Sequence, residues 1–194
     1  MKQSVSTTDH VSANYRYIAA YNELNARIGQ RQHALSLYIT LVVGLIAALV
    51  ASKRVEEPST LLIEWLIYGF SIASVCLVLL NYKYEQILTN LRQYLSELEQ
   101  LNNTSLELPS YNTETRWTTT ANKARRFHDF TCAVLVCACN VIALGVFYKV
   151  YPNHFKPSLY VVWITSLVAL GSLAALLSMT RFSHKPKWKR TSQP

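Results

Sequence analysis

Four stretches of the chain carry no charged residue: residues 34–52, 65–82, 130–148 and 157–180, with lengths of 19, 18, 19 and 24. A helix needs roughly 20 apolar residues to cross the hydrocarbon core of a bilayer. Soluble core helices rarely lack charge over such lengths, so the pattern predicts four membrane spans. Their boundaries are placed at 34–52, 60–82, 129–150 and 157–180. Every proline lies outside these spans or at the very start of one (Pro58, Pro109, Pro152, Pro157, Pro186 and Pro194), where the missing amide costs least. Gly44, Gly69, Gly145 and Gly171 fall one to a span, and each is expected to let a neighbouring helix approach closely.

Between the spans the pattern becomes amphipathic. After the second span, Tyr84, Ile87, Leu88, Leu91, Tyr94, Leu95, Leu98 and Leu101 recur at intervals of three and four. That spacing gives one apolar stripe, with Glu85, Arg92, Glu97 and Glu99 expected off it. Asn102 and Asn103 offer a helix stop. Ahead of the first span, Ile18, Tyr21, Leu24, Ile28 and Leu35 form a weaker stripe. The short first hairpin makes the two extensions emerge side by side. Their stripes then bury against each other, against a second copy of the chain, or both. Asn112 is placed to cap a short amphipathic helix leading into the third span.

The organisation expected is an N-terminal amphipathic helix over 1–33, a transmembrane hairpin over 34–82 and a helical stalk and linker over 83–127. A second hairpin over 128–180 and a basic tail over 181–194 complete it. The fold class is all-α: an integral membrane bundle of four spans with cytoplasmic amphipathic extensions. The N-terminal residues are polar, without the short apolar stretch of a secretory signal, so the first span is expected to be retained.

Composition sharpens this picture. Of 194 residues 51% are hydrophobic and 15% charged, and the formal net charge is +8. Such a chain is too charge-poor for an ordinary soluble domain and too apolar to be disordered. Fifteen Lys and Arg lie in the N-terminal, middle and C-terminal segments and four in the two short hairpins, which places both termini in the cytoplasm. Trp65, Tyr151 and Tyr160 at the opposite ends suit an aromatic belt. The localisation expected is a cell membrane, such as a bacterial inner membrane.

Candidate chemistry is sparse. Cys76, Cys132, Cys137 and Cys139 lack metal-site spacing and read as small packing residues, although Cys132 is a candidate for acylation. Arg125, Arg126, His128 and Asp129 form the densest polar cluster. No phosphate loop or nucleophile elbow accompanies them, so Arg125 and Arg126 are expected to contact lipid headgroups. The tail residues Arg181, Lys185, Lys187, Lys189 and Arg190 are expected to do the same, in preference to binding nucleic acid. Asn140 is the principal polar group within a span, where it suits interhelical hydrogen bonding. The absence of an ionisable residue from the span cores argues against an ion-coupled carrier. No catalytic set, metal or cofactor is expected.

The layout from Tyr15 to Asn102 is an amphipathic helix bearing Arg16, Arg27 and Arg31, a span, a tight hairpin, a second span and a long trailing helix. This resembles the SLATT family of bacterial membrane effectors over about half of the chain, by architecture rather than by a motif. The second pair of spans has no counterpart in the two-span pattern. The resemblance implies an oligomeric effector that perturbs the bilayer when a defence partner signals. The function expected is therefore a non-enzymatic, oligomeric, pore-forming or membrane-perturbing protein controlled through its cytoplasmic helices. The alternative is a membrane anchor that recruits a cytoplasmic protein. Expected partners are the bilayer, a second copy of the chain and a cytoplasmic protein. Neither nucleic acid nor a small-molecule substrate is expected.

Overall fold

A helix that buries one face repeats its inward side chains every three or four residues, and here that repeat runs unbroken from the spans into the extensions. A computed structural model of the chain describes residues 12–54, 60–102, 111–155 and 158–179. It contains α1 (Ala13–Ala51), α2 (Thr60–Asn102), α3 (Thr115–Val150), the single turn α4 (Pro152–Phe155) and α5 (Leu159–Met179). A short 3-10 turn, Ser52–Arg54, follows α1. No strand occurs among the described residues. Extension and span are thus one continuous helix in α1, α2 and α3. The helix expected ahead of the third span is the first part of α3. α2 is described as far as Asn102, and Asn103 of the expected helix stop lies outside the described residues.

The four long helices form an all-α bundle. α1 and α5 each pack against both α2 and α3, so they occupy opposite corners, while α2 and α3 touch across the bundle. Three apolar clusters fill it from end to end. Leu49, Ile63, Ile67, Phe147, Tyr151 and Val161 close the hairpin end. Tyr38, Val42, Phe70, Leu77, Val136 and Leu176 belong to the middle cluster. Ala20, Leu24, Leu88 and Leu95 join the α1 and α2 extensions into a two-helix stalk. Within the bilayer such packing works through dispersion rather than exclusion of water. In the stalk, which lies beyond the charge-free runs, each fully buried leucine contributes about 1.5–3 kcal/mol where its alternative surrounding is water.

The stalk stripe is only partly as the spacing predicts. Leu88, Leu95 and Leu98 are buried and Tyr84, Ile87 and Leu91 half-buried, whereas Tyr94 faces outward. The side chain of Leu101 lies outside the described residues. On α1 the inward face carries Tyr17, Ala20, Leu24 and Ile28. Ile18 and Tyr21, expected on that face, are 55% and 48% exposed. The reason is register: Ala20 and Leu24 stay close to whole 3.6-residue turns from the span residues Ala34, Tyr38 and Val42, whereas Ile18 and Tyr21, reached from Leu24 by successive steps of three, drift off that face.

Three further expectations are corrected. Tyr151 is buried rather than in an interfacial belt, and its hydroxyl donates to the Leu49 carbonyl at 2.8 Å. Trp65 and Tyr160 are exposed. Of the four span glycines only Gly69 meets a neighbour, the Leu45 side chain, 3.0 Å from where a Cβ would stand. Gly44, Gly145 and Gly171 face open space outside the bundle. Asn112 does not cap α3. Its backbone and side-chain N–H groups donate to Glu99, at 3.0 and 2.8 Å, and Thr113 donates to the same carboxylate at 3.0 Å. The turn before α3 is thereby clamped to the end of α2. Tyr17 of α1 joins the clamp with a 3.1 Å bond to Glu99.

Candidate functional site

The stripes that bury apolar residues also carry charges into the bundle where spans become stalk. On α1 the inward series Leu24, Ile28, Ala34, Tyr38 includes Arg31. On α2, Leu77, Asn81, Leu88 bracket Glu85, and on α3, Thr118, Cys132, Val136 bracket Arg125 and Asp129. All four charged residues are buried, with exposures of 4% for Arg31, 3% for Glu85, 7% for Arg125 and 1% for Asp129.

They form one network across three helices. Arg31 donates to Glu85 at 2.8 Å and to Asn81 Oδ1 at 3.4 Å, and its other terminal nitrogen pairs with Asp129. The second oxygen of Glu85 pairs with Arg125. Arg125 also donates to Thr89 at 3.2 Å. Two guanidinium groups thus meet two carboxylates, and the formal charge inside the network sums to zero. Burial lowers the pKa of Arg125 from its ordinary value, and the adjacent Glu85 opposes that shift. Such an arrangement holds helices in register at the cost of desolvating four ions. Each charged member is paired with at least one other. His128, half-buried, lies 3.5 Å from the Cys132 sulfur.

This overturns the reading of Arg125 as a headgroup ligand: it points into the bundle because it lies four residues before Asp129 on the buried face of α3. Arg126, one residue on, is exposed and free to face lipid. Glu85, expected off the stripe, is on it. The tail residues Arg181, Lys185, Lys187, Lys189 and Arg190 lie outside the described residues. The signal that would have found the network was present. Arg31, Glu85, Arg125 and Asp129 all lie at inward positions when each span's three-and-four repeat is extended past its charge-free run.

Deeper in the bundle, Asn140 donates to Ser74 at 2.9 Å and to the Val136 carbonyl at 2.8 Å, joining α3 to α2. The Tyr38 hydroxyl lies 3.5 Å from the same Ser74. At the hairpin end Glu64 accepts from Ser158 at 2.7 Å and from Tyr160 at 2.6 Å, fastening α5 to α2. Cys76 and Cys137 are exposed, Cys139 half-buried and Cys132 buried, all as free thiols. Among the described residues no group of three His, Cys, Asp or Glu is placed to hold a metal.

The outside of the span region is apolar, with Leu37, Val43, Leu79, Ile142, Trp163 and Leu167 all at least 50% exposed. Four helices are long and apolar enough to cross a membrane. Fold and surface together define a multi-pass helical membrane protein. No protein-family model, curated protein or solved structure matches the chain.

Proposed function

We propose that the chain is a non-enzymatic membrane effector that works as an oligomer and opens or perturbs the bilayer when its stalk helices are moved. The observation that carries this reading is the Arg31–Glu85–Arg125–Asp129 network at the junction of spans and stalk. A buried ion network is a poor source of net stability, yet breaking one pair is costly. It therefore suits a latch with two states better than a static core. Because α1, α2 and α3 pass through the junction without interruption, displacement of the stalk would reach the spans directly. In this reading the termini and stalk are cytoplasmic, and copies of the chain meet through the outward faces. The SLATT-like layout of the first half supports the same assignment and suggests a role in bacterial defence.

The test is release of dye and potassium from induced cells and from loaded liposomes, comparing the full chain with Glu85→Gln and Leu95→Glu variants. Leakage that the variants alter supports the reading. A protein that stays monomeric in detergent and leaves liposomes intact overturns it.

A second reading, a membrane anchor for a cytoplasmic protein, is favoured by the outward face of the α1 extension. Tyr15, Ile18 and Tyr21 there are 71%, 55% and 48% exposed. It requires that replacing these residues with serine removes a co-purifying protein while membrane permeability is unchanged.

A further inference from the structure

The inward face of α2 is polar at intervals along the whole span. Glu64, Ser71, Ser74, Asn81 and Glu85 follow one another at steps of seven, three, seven and four residues, which keeps them within about a third of the helix circumference. Ser74 stands ten residues from Glu64 and eleven from Glu85, about 15 Å of helix each way, so its level is the middle of the span. There it accepts the bond from Asn140 of α3. One turn nearer the hairpin end lie Ser71, Ala143 of α3 and Thr165 of α5. Each is four residues from a member of the cluster that packs Ile67, Phe147 and Val161 together, and all three side chains are small.

Three side-chain atoms at these levels, Ser71 Oγ, Asn140 Oδ1 and Thr165 Oγ1, are buried without a hydrogen-bond partner among the described residues. Hydroxyls on the outside of the spans differ. Thr40, Thr131 and Ser178 are exposed and donate to carbonyls of their own helices at 3.0, 2.9 and 2.7 Å. The hydroxyls that face lipid are thus satisfied locally, whereas Ser71 and Thr165, facing the bundle, are left open. A polar atom without a partner in an apolar surrounding is costly. The Asn140 amide nitrogen donates to Ser74 and to the Val136 carbonyl, so Oδ1 can only accept, while each hydroxyl can donate or accept. Water matches that set. A cation does not, because the carboxylates of α2 nearest to these groups, Glu64 and Glu85, are seven or more residues away and a lone charge at this depth is expensive.

We propose that the route through the membrane lies inside each copy of the chain, along this face of α2, and that Ser71, Asn140 and Thr165 are where it holds water. The inference rests on the reading of the chain as an effector that opens the bilayer, and it names the path. Apolar layers close the route on either side of the polar levels: Ile67, Phe147 and Val161 toward the hairpin end, and Leu77, Val136 and Leu176 toward the charge network. Layers of this kind exclude water while narrow and admit it when they widen. A hydrated midpoint divides an apolar barrier of about 30 Å into two shorter steps. Asn81 and Glu85 of the same face belong to the charge network, so release of the latch frees the junction end of the route.

Potassium release from loaded liposomes is measured for the full chain and for Glu85→Gln, which loosens the network, with inward and outward hydroxyls replaced in turn in each background. Ser71→Ala and Thr165→Val should each slow release by about threefold and the pair by about tenfold, while Thr165→Ser, Thr40→Val and Thr131→Val stay within about twofold. Thermal unfolding in detergent is a second readout that needs no leak. Thr165→Val should lower the midpoint, because the water and its remaining partners lose a bond, and Thr165→Ser should restore it. An unchanged or raised midpoint marks an unpaired hydroxyl and overturns the water site. Release that the inward variants leave unchanged, or that responds to Thr40→Val and Thr131→Val instead, puts the path between copies and overturns the proposal while the effector reading stands. No release from any chain overturns both.

Discussion

Replacing Arg31 with methionine is the most direct test of the network. The change keeps much of the aliphatic volume and removes the one group that touches Asn81, Glu85 and Asp129 together. Arg31 and its two carboxylate partners are 4%, 3% and 1% exposed, so water cannot replace the lost partner without opening the bundle. At an effective dielectric constant of about 20, an ion pair at 4 Å is worth about 4 kcal/mol. Desolvating each ion costs several kcal/mol in the opposite direction. The whole network is therefore near break-even, whereas removing one cation leaves two carboxylates facing a single arginine. The expected cost is about 3–5 kcal/mol.

The assay is unfolding of the purified protein in mixed detergent, followed by far-ultraviolet circular dichroism. It is run on Arg31→Met, on Asp129→Leu and on the pair. Once Arg31 is gone, Asp129 is a liability. The double variant should therefore lose less than the sum of the singles, by about 1–3 kcal/mol. Arg126→Met, on the exposed side of α3, should stay within about 0.5 kcal/mol of wild type. If Arg31→Met behaves like Arg126→Met, or if Arg31→Met and Asp129→Leu simply add, the buried network is refuted.

Other consequences are separable. Leu95, wholly buried between the stalk helices, should cost about 2–5 kcal/mol as alanine in the same unfolding assay, and the outward Tyr94 less than about 0.5 kcal/mol. Asn140→Leu should cost under about 1 kcal/mol: interhelical hydrogen bonds in membranes average about 0.6 kcal/mol, and Oδ1 of Asn140 is buried without a partner. Gly69→Ala should destabilise the bundle relative to Gly171→Ala, because only at Gly69 would the new methyl meet Leu45. Burial and then the Glu99 carboxylate raise the Tyr17 pKa from 10.0 to about 12. Its contribution to stability is therefore complete below pH 10 and lost as pH rises towards 12. The ultraviolet difference titration of wild type against Tyr17→Phe should show that late midpoint, and an ordinary one would remove the Tyr17–Glu99 bond.

Much of the fold was legible because lipid imposes a coarse rule: a run of about 20 residues without charge has few other uses. The inward Leu88, Leu95 and Leu98 followed from periodicity in the same way. The site was harder to see because charge was treated as a mark of the surface. Glu85 and Arg125 were assigned outward on that basis, yet both occupy inward positions of the repeat, and in a bundle position outranks polarity when opposite charges arrive together. Pairing across helices supplies the missing information. Arg31 and Glu85 are 54 residues apart, and Arg31 and Asp129 are 98 apart, so no local pattern couples them. Asn112 was misread for a related reason. Its partner Glu99 is 13 residues away across a turn, and a local cap was the nearer explanation.

The position of the network also bears on how force would pass through the molecule. A stalk joined to its spans by flexible loops would dissipate motion at the loops, whereas α1, α2 and α3 cross the junction as unbroken helices. Above the junction the stalk is held by Ala20, Leu24, Leu88 and Leu95 and by the Glu99 clamp. Below it the spans are held by a long apolar core. The charged layer lies between two regions that resist shear, and its pairs have few intermediate geometries, since a carboxylate displaced by a few ångströms loses its partner without reaching water. Rotation of α1 against α2 and α3 is then resisted until Arg31 leaves both Glu85 and Asp129, after which the helices are free to settle elsewhere. Such all-or-none behaviour suits the proposed effector, held silent until signalled, and under that reading the threshold lies at Arg31.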